Sequence, residues 1–461
     1  MNKGHLKNII IIALGILTVY QTIGLWFGSF SDRNLFYTIL NKQNTQLAIT
    51  AEYNLVEARK VIVGFGNKSF NIIDLNVKEN KTLDESAAEC IKYLTQNGNY
   101  VSTSKIDWNE LLLYKLVMYE YKVEIPMNYY IKSAANKNVS SFSNRQEYFD
   151  TVIIVPSRST GEQMKVYFIN SLQDKCVLFS CRKSSVNDTL YSEIDKIQNT
   201  GSNINYISTE QSKLNIFNKN IFLPELSEKS VRYAQLSIKN PYSTNYKISM
   251  QSVETYIDGF FDNPMAKWSS VDLKGVYIYN DESVVVRYYP YSLLEYFDYR
   301  ASVSKTNTLE SAFAAVQQFL YRDITLPEEI RISSIRQEND TWIIGFDRYV
   351  NGFPIEVSEE LLNKLGIKNE IEISVKNSKV ISYKRYVYDL DVKYINKNFS
   401  SEVSFVQGLN GVVKRLEKEN ISVDNMYLSY TVSSEGISDI MWTVIIDNKK
   451  YTQTLEVSDK S

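Results

Sequence analysis

The hydrophobic pattern divides the chain into one long apolar segment and a much longer stretch of short, alternating ones. The long segment runs from Asn8 to Phe30 (NIIIIALGILTVYQTIGLWFGSF), with no charged residue between Lys7 and Asp32. As a helix it rises about 34 Å, enough to cross a hydrocarbon layer of about 30 Å. Lys3 and Lys7 precede it, whereas Asp32 and Arg33 cancel each other behind it. The positive-inside bias therefore predicts a cytoplasmic amino terminus and an extracytoplasmic remainder. A cleaved signal peptide is the competing reading, because Gly28-Ser29-Phe30-Ser31 is a tolerable small-residue site. Secretory apolar cores run about 7 to 15 residues, shorter than this one, which favours an uncleaved cell-membrane anchor. Leu14, Leu17, Gln21, Gly24 and Gly28 follow steps of three and four and share one stripe. The Gly24/Gly28 pair lets a second backbone approach, and Gln21 is placed to hydrogen-bond across that contact. Glycines are also ordinary in membrane helices, so a partner-facing stripe and a plain span both stay open.

Past the anchor the period changes. Residues 34 to 46 are polar enough for a stalk. Val61 to Val63 and Phe70 to Val77 read as short strands. Thr82 to Glu85 reads as a capping box whose helix ends at Asn97-Gly98. The run Asp107 to Tyr121 (DWNELLLYKLVMYEY) predicts a second helix, apolar on a broad face. Strands are expected over Asp150 to Pro156, Lys165 to Asn170 and Cys176 to Ser180, and a helix capped by Asp188 through Ile197.

From Asn203 a theme recurs: one helix followed by a short antiparallel meander. Met250 to Phe261 places Val253, Ile257 and Phe260 at helical spacing. Strands over Gly275 to Tyr279, Ser283 to Tyr289 and Ser292 to Tyr299 follow, the first two turned by Asn280-Asp281-Glu282. The second unit has a helix capped at Asn307 and running to Leu320. Its strands lie over Ile330 to Arg336, Trp342 to Val350 and Phe353 to Val357, with turns at Glu338-Asn339-Asp340 and Asn351-Gly352. A hairpin, Glu370 to Val375 with Val380 to Tyr388, comes next. The third unit has a helix over Ser401 to Leu416 with Val403, Val406, Leu409, Val413 and Leu416 on one side. Its strands cover Met426 to Val432, Ile440 to Ile446 and Tyr451 to Val457. Trp342 and Trp442 fall at matching places. This is a weak internal repeat in which each helix covers one face of its sheet.

The fold class expected is α+β: a single amino-terminal transmembrane helix (1–30), a mixed α/β domain (31–200), a central helix-plus-sheet domain (201–300) and a carboxy-terminal domain with two helix-plus-sheet repeats (301–461).

Composition narrows the chemistry. With 51 Lys plus Arg against 53 Asp plus Glu, the formal charge of −2 offers no basic field for nucleic acid. The one histidine, His5, precedes the span. The exported part thus lacks the commonest general base and zinc ligand, which removes most hydrolase and metalloenzyme readings. Cys90, Cys176 and Cys181 are odd in number, and the last two would face opposite sides of one strand, so no disulfide framework is indicated.

At this point the chain resembles the YycH family of membrane-anchored regulators. The resemblance rests on the single amino-terminal span and on Phe261-Asp262-Asn263-Pro264. It also rests on Val284 to Tyr289 leading to Leu294-Glu295-Tyr296, and on Trp342 to Phe346 through Asn351-Gly352-Phe353-Pro354-Ile355. The last pattern is similar to one shared by YycH, its relative YycI and PepSY-like domains. The resemblance implies a non-enzymatic accessory protein without a cofactor. Its implied partners are a YycI-like sister protein and a membrane sensor histidine kinase of cell-wall homeostasis. Sign of regulation and small-molecule ligand stay open.

Other constellations are weak. Gly64-Phe65-Gly66-Asn67-Lys68-Ser69 lacks the spacing of a phosphate loop and reads as a turn. Ser102/Lys105, Ser180/Lys183 and Ser302/Lys305 match Ser-x-x-Lys without the further motifs a serine acylase needs. Glu254, Asp258 and Asp262 line one side of a helix, as a solvated face or, less simply, as paired carboxylates. Tyr288, Tyr289, Tyr291, Tyr296 and Tyr299 are candidate anchors for a protein partner or plain sheet packing. The main alternative function is a tethered module that binds cell-wall peptide or glycan. No catalytic, cofactor or metal residue is assigned.

Overall fold

Two large sheets, antiparallel but for one strand pair, organise the chain, each with helices on it. A computed structural model describes residues 57–455 apart from 76, 78–79, 136–146, 159–161, 183, 201–204, 226–229, 245–246, 303, 328, 399–403 and 417–420. These residues belong to one compact unit, Asn54–Ser461. The Asn8–Phe30 segment, its stripe of Leu14, Leu17, Gln21, Gly24 and Gly28, and the stalk lie outside the described residues. Among those described, no helix is long and apolar enough to cross a membrane.

The first sheet has nine strands: β1 (Lys60–Phe65), β2 (Phe70–Ile73), β3 (Asn99–Ser104), β4 (Lys115–Pro126), β5 (Tyr148–Val155), β6 (Gln163–Asn170), β7 (Lys175–Arg182), β8 (Tyr206–Ser208) and β9 (Phe222–Pro224). Their order is β3-β7-β6-β5-β4-β1-β2-β8-β9, so its last two strands come from beyond residue 200. Three helices, α1 (Lys81–Asn97), α3 (Met127–Ala135) and α4 (Ser185–Thr200), cover one face, and a one-turn α2 (Trp108–Leu111) sits under the other. On β7, Cys181 packs under the helices while Cys176 packs on the opposite face, as strand alternation requires.

Three local readings are corrected here. The helix expected over Asp107 to Tyr121 is the single turn α2 followed by strand β4. Leu116 and Met118 pack on one face of that strand, Val117 and Tyr119 on the other. A central strand buried on both faces is apolar in every phase, which mimics a buried helix. Thr82 does not cap α1, which starts at Lys81; its hydroxyl donates to Glu193 of α4 at 3.1 Å, tying helix to helix. Asp188 lies in the first turn of α4 rather than at its cap.

The second sheet has thirteen strands. After a ribbon strand β10 (Ser230–Lys239) and the two-residue strands β11 (Ser243–Thr244) and β12 (Lys247–Ile248) come β13 (Trp268–Val271), β14 (Tyr277–Asn280), β15 (Val284–Tyr288) and β16 (Leu293–Asp298). Then follow β17 (Ile330–Glu338), β18 (Thr341–Val350), β19 (Phe353–Val357), β20 (Ile371–Lys376) and β21 (Lys379–Tyr386). β22 (Asp389–Asn398) pairs with β10, and β23 (Val423–Ser433), β24 (Gly436–Ile437), β25 (Met441–Ile446) and β26 (Lys449–Thr454) complete the set. Sheet order is β13-β14-β15-β16-β21-β20-β18-β19-β23-β25-β26, with β17 beside β18 and β24 beside β23. The β16–β21 pairing makes the central and carboxy-terminal meanders one sheet. The β19–β23 pair is parallel, its two strands joined through a long connection.

Each expected unit has its helix: α5 (Met250–Ile257), α6 (Leu309–Leu320) and α8 (Phe405–Leu416), with a short α7 (Glu359–Leu365) after β19. The turns hold positive φ at Asn339 (54°), Asn351 (52°) and Gly352 (76°), residues tolerant of it, and also at Glu282 (75°). Thr308 caps α6, its hydroxyl accepting from the Ser311 amide. The expected cap Asn307 instead bonds two hairpin turns, through the Asp340 carbonyl (2.8 Å) and the Asn377 amide (3.2 Å). On α8, Leu409, Val413 and Leu416 pack on the core as expected, joined by Gly408 and Val412, whereas Val406 is exposed and Val403 lies outside the described residues. A Cβ on Gly408 would come within 2.5 Å of the Trp442 ring, so the helix presents its smallest residue there.

Candidate interaction surface

The strands β13–β16 carry the most distinctive exposed surface. On one face Tyr279, Val284, Val286, Tyr288, Leu294 and Tyr296 are buried under α5 and α6. The alternate residues point the other way. In register, Trp268 lies opposite Asn280, Asn280 opposite Val285, and Val285 opposite Phe297, so these side chains form one outward row. The next row is Ser270, Ile278, Arg287, Glu295 and Lys384.

The outward face is aromatic at both ends and charged between. Phe297 and Tyr299 stack with centroids 6.5 Å apart, and Tyr289 and Tyr291 stack at 5.1 Å. Between them Glu295 is held by Lys384 (3.3 Å), Arg287 (4.0 Å) and the Tyr289 hydroxyl, which donates at 2.7 Å. Burial, then the hydrogen bond to the Glu295 carboxylate, pushes the Tyr289 phenol up to about 12. Trp268 is 52% exposed, Tyr291 46% and Tyr299 67%.

β13 is also the end strand of the sheet, and all four of its residues are exposed, with Met265 and Leu273 exposed beside it. An ionic knot fixes this edge. Lys267, its side chain only 3% exposed, reaches Asp258 (2.7 Å), Glu254 (3.2 Å) and the Pro264 carbonyl (3.3 Å). Asn263 accepts from the Met265 amide at 3.2 Å and caps the 3₁₀ turn Pro264–Ala266. Asp262 is clamped by Arg300 (2.6 Å) and Arg322 (2.8 Å), and hydrogen bonds from Arg300 hold its carboxyl below the ordinary carboxylate range. Asp298 is buried, which alone would raise it, but Arg300 (2.6 Å) and Lys379 (2.8 Å) outweigh that and hold it at about 2.

The residues singled out in the sequence thus separate by role. Glu254, Asp258 and Asp262 do not line one helix face: α5 ends at Ile257, Asp258 starts a 3₁₀ turn, and Asp262 turns toward two arginines. All three are occupied as structural counter-ions. Tyr288 and Tyr296 are core residues, Tyr289 is half-buried, and Tyr291 and Tyr299 are exposed. Gly64 to Ser69 is the β1–β2 turn, closed by Phe65 N–H on the Ser69 carbonyl at 3.2 Å. Lys105 pairs with Asp174 at 2.8 Å, and the Ser302 hydroxyl donates to the Asn377 carbonyl at 2.6 Å, so neither Ser-x-x-Lys pair forms a nucleophile and base; Lys183 lies outside the described residues. Sequence reading missed β13 and Lys267. The run Trp268–Val271 has only two apolar residues, and nothing local marks Lys267 as buried.

No protein-family model and no curated protein matches this sequence. Among solved structures, it is similar to the crystal structure of YycH from Bacillus subtilis, with TM-score 0.57 and 13% identity over 87% of this chain and 97% of that one. An uncharacterized protein from Eubacterium rectale matches 52% of this chain and 84% of its own (TM-score 0.31, 13% identity). The YpeB C-terminal domain of Bacillus megaterium matches 46% of this chain and 94% of its own (TM-score 0.27, 11% identity). Over 87% of its length, then, this chain has a YycH-type fold.

Proposed function

We propose that this chain is a non-enzymatic regulatory protein, anchored in the cell membrane by Asn8–Phe30, that sets the activity of a membrane sensor histidine kinase together with a YycI-like sister protein. The observation that carries the reading is the YycH-type fold over 87% of the chain. The β13–β16 face supports it, because exposed Trp and Tyr side chains on a rigid sheet suit protein contact. So do the polar clusters around that face, which are spent on holding strands and turns rather than gathered as acid and base.

Contact within the membrane is assigned to the stripe Leu14, Leu17, Gln21, Gly24 and Gly28. Replacing Gly24 and Gly28 by Ile should lower co-purification of the kinase or sister protein by several-fold, since two β-branched side chains block close helix approach. Unchanged co-purification and unchanged kinase output would refute that contact. A second reading, a tethered receptor for cell-wall glycan, draws on the same aromatic pairs, because flat exposed rings also stack on sugar faces. Titration calorimetry of the protein with wall fragments separates the two.

A further inference from the structure

The two large sheets end on β3, β9, β13 and β26, and the first, second and last of these are blocked against further pairing. β3 carries a bulge at Val101, where its register to β7 shifts between Tyr100 and Ser102. β9 is buried and ends in Pro224. β26 opens on the exposed pair Lys449-Lys450. Bulges, proline, cover and lysine are the devices that keep sheet edges from pairing. β13 has none of them: Trp268-Ser269-Ser270-Val271 is uncharged, exposed and paired with β14 in unbroken register. The charges at its two ends are turned inward. Lys267 is spent on Glu254 and Asp258, and the Asp272 carboxylate accepts from the Lys274 and Val276 amides, each at 2.8 Å.

The hydrogen-bond phase of β13 is fixed by the turns on either side of β14. The Asp272 amide donates to the Val276 carbonyl (3.0 Å), and the Asp281 amide to the Val284 carbonyl (3.2 Å). Antiparallel ladders alternate residue by residue, so Trp268 and Ser270 bond to β14 opposite Asn280 and Ile278. Ser269 and Val271 therefore direct their N–H and C=O groups away from the sheet. A second β13 can match both residues only antiparallel, with Ser270 on the twofold axis. Ser269 of each copy then faces Val271 of the other, and each such pair exchanges both of its hydrogen bonds. In that register Trp268 faces Asp272 and Lys267 faces Leu273, so no like charges meet across the axis. Exposed Met265, Val271 and Leu273 lie in or beside the same edge. A second copy also brings a strand already extended, whereas a loose peptide must first be ordered, at about 1 to 2 kcal/mol per residue.

We propose that two copies of this chain pair through β13, antiparallel and centred on Ser270, to make one continuous sheet. The second copy adds in the plane of the sheet, so Trp268 keeps its outward aspect, and the pairing neither needs nor excludes the regulatory reading. Single cysteines in the full chain test it, read as disulfide-linked dimer on a non-reducing gel after mild oxidation; the native Cys90, Cys176 and Cys181 are buried. Across the axis the two Ser270 residues form a non-hydrogen-bonded pair with Cα atoms about 4.5 Å apart, inside disulfide range, whereas Ser269 lies too far from its own copy. Ser270→Cys should therefore link on the order of tenfold faster than Ser269→Cys. Adding Val271→Pro removes only an outward N–H, so it should abolish the Ser270→Cys link while the urea-unfolding midpoint stays in place. Val271→Lys, a blocking charge that leaves the backbone intact, should do the same. Equal rates at 269 and 270, no link at 270, or a link that survives both Val271 substitutions would overturn the proposal.

Discussion

Asp298 shows how single residues in this protein trade burial against charge. It is buried in β16, yet Arg300 and Lys379 keep it ionised down to about 2, below its ordinary value of 3.8. A carboxyl whose pKa is lower folded than unfolded stabilises the fold fully above the unfolded value, and that contribution is lost as pH falls toward the folded one. Wild type and Asp298→Asn should therefore differ in unfolding free energy above about pH 4 and converge between about 3.8 and 2. Urea denaturation of both proteins across that range measures the difference directly. A gap that persists unchanged at the acid end would show that the ion pairs are not its source.

At the scale of elements, the edge strand β13 depends on a lysine that does not belong to it. Lys267 joins β13 to α5 and its 3₁₀ extension through Glu254 and Asp258. Lys267→Met should cost about 2 kcal/mol, less than for a fully buried pair because both carboxylates keep some solvent. The loss should appear in urea unfolding, with β13 amides deprotected first; a change within a few tenths of a kcal/mol would place the anchoring elsewhere. The meanders were legible because their signals are local: strand alternation, the Asn351-Gly352 turn, and apolar helix faces such as Val253, Ile257 and Phe260. Strand β4 was not, since a strand buried on both faces carries no period. Nor was the place of Gly408 on the buried side of α8, which depends on Trp442 of β25. Of the interaction face, the tyrosines were visible in sequence. Which of them point outward follows only from pairing register, which fixes Phe297 beside Val285 and so aims its neighbours.

On the scale of the whole molecule, the two sheets are joined by charged pairs such as Lys122 with Asp347 and by apolar contact, with Leu223 of β9 inside the second sheet's core and Tyr129 of α3 against Phe313 of α6. Its fold is of the YycH type, and the outward row from Trp268 to Phe297 offers a face about three strand spacings wide, roughly 14 Å. The most direct measurement of its role is site-specific photocrosslinking from position 268 in native membranes, followed by identification of the adduct by mass spectrometry. Adducts with a membrane sensor histidine kinase or a YycI-like protein are expected, and should be reduced when Tyr299 and Tyr291 are both replaced by Asp. Recovery of no protein adduct at position 268, with the kinase still co-purifying, would contradict the assignment of this face as the contact through which the protein acts.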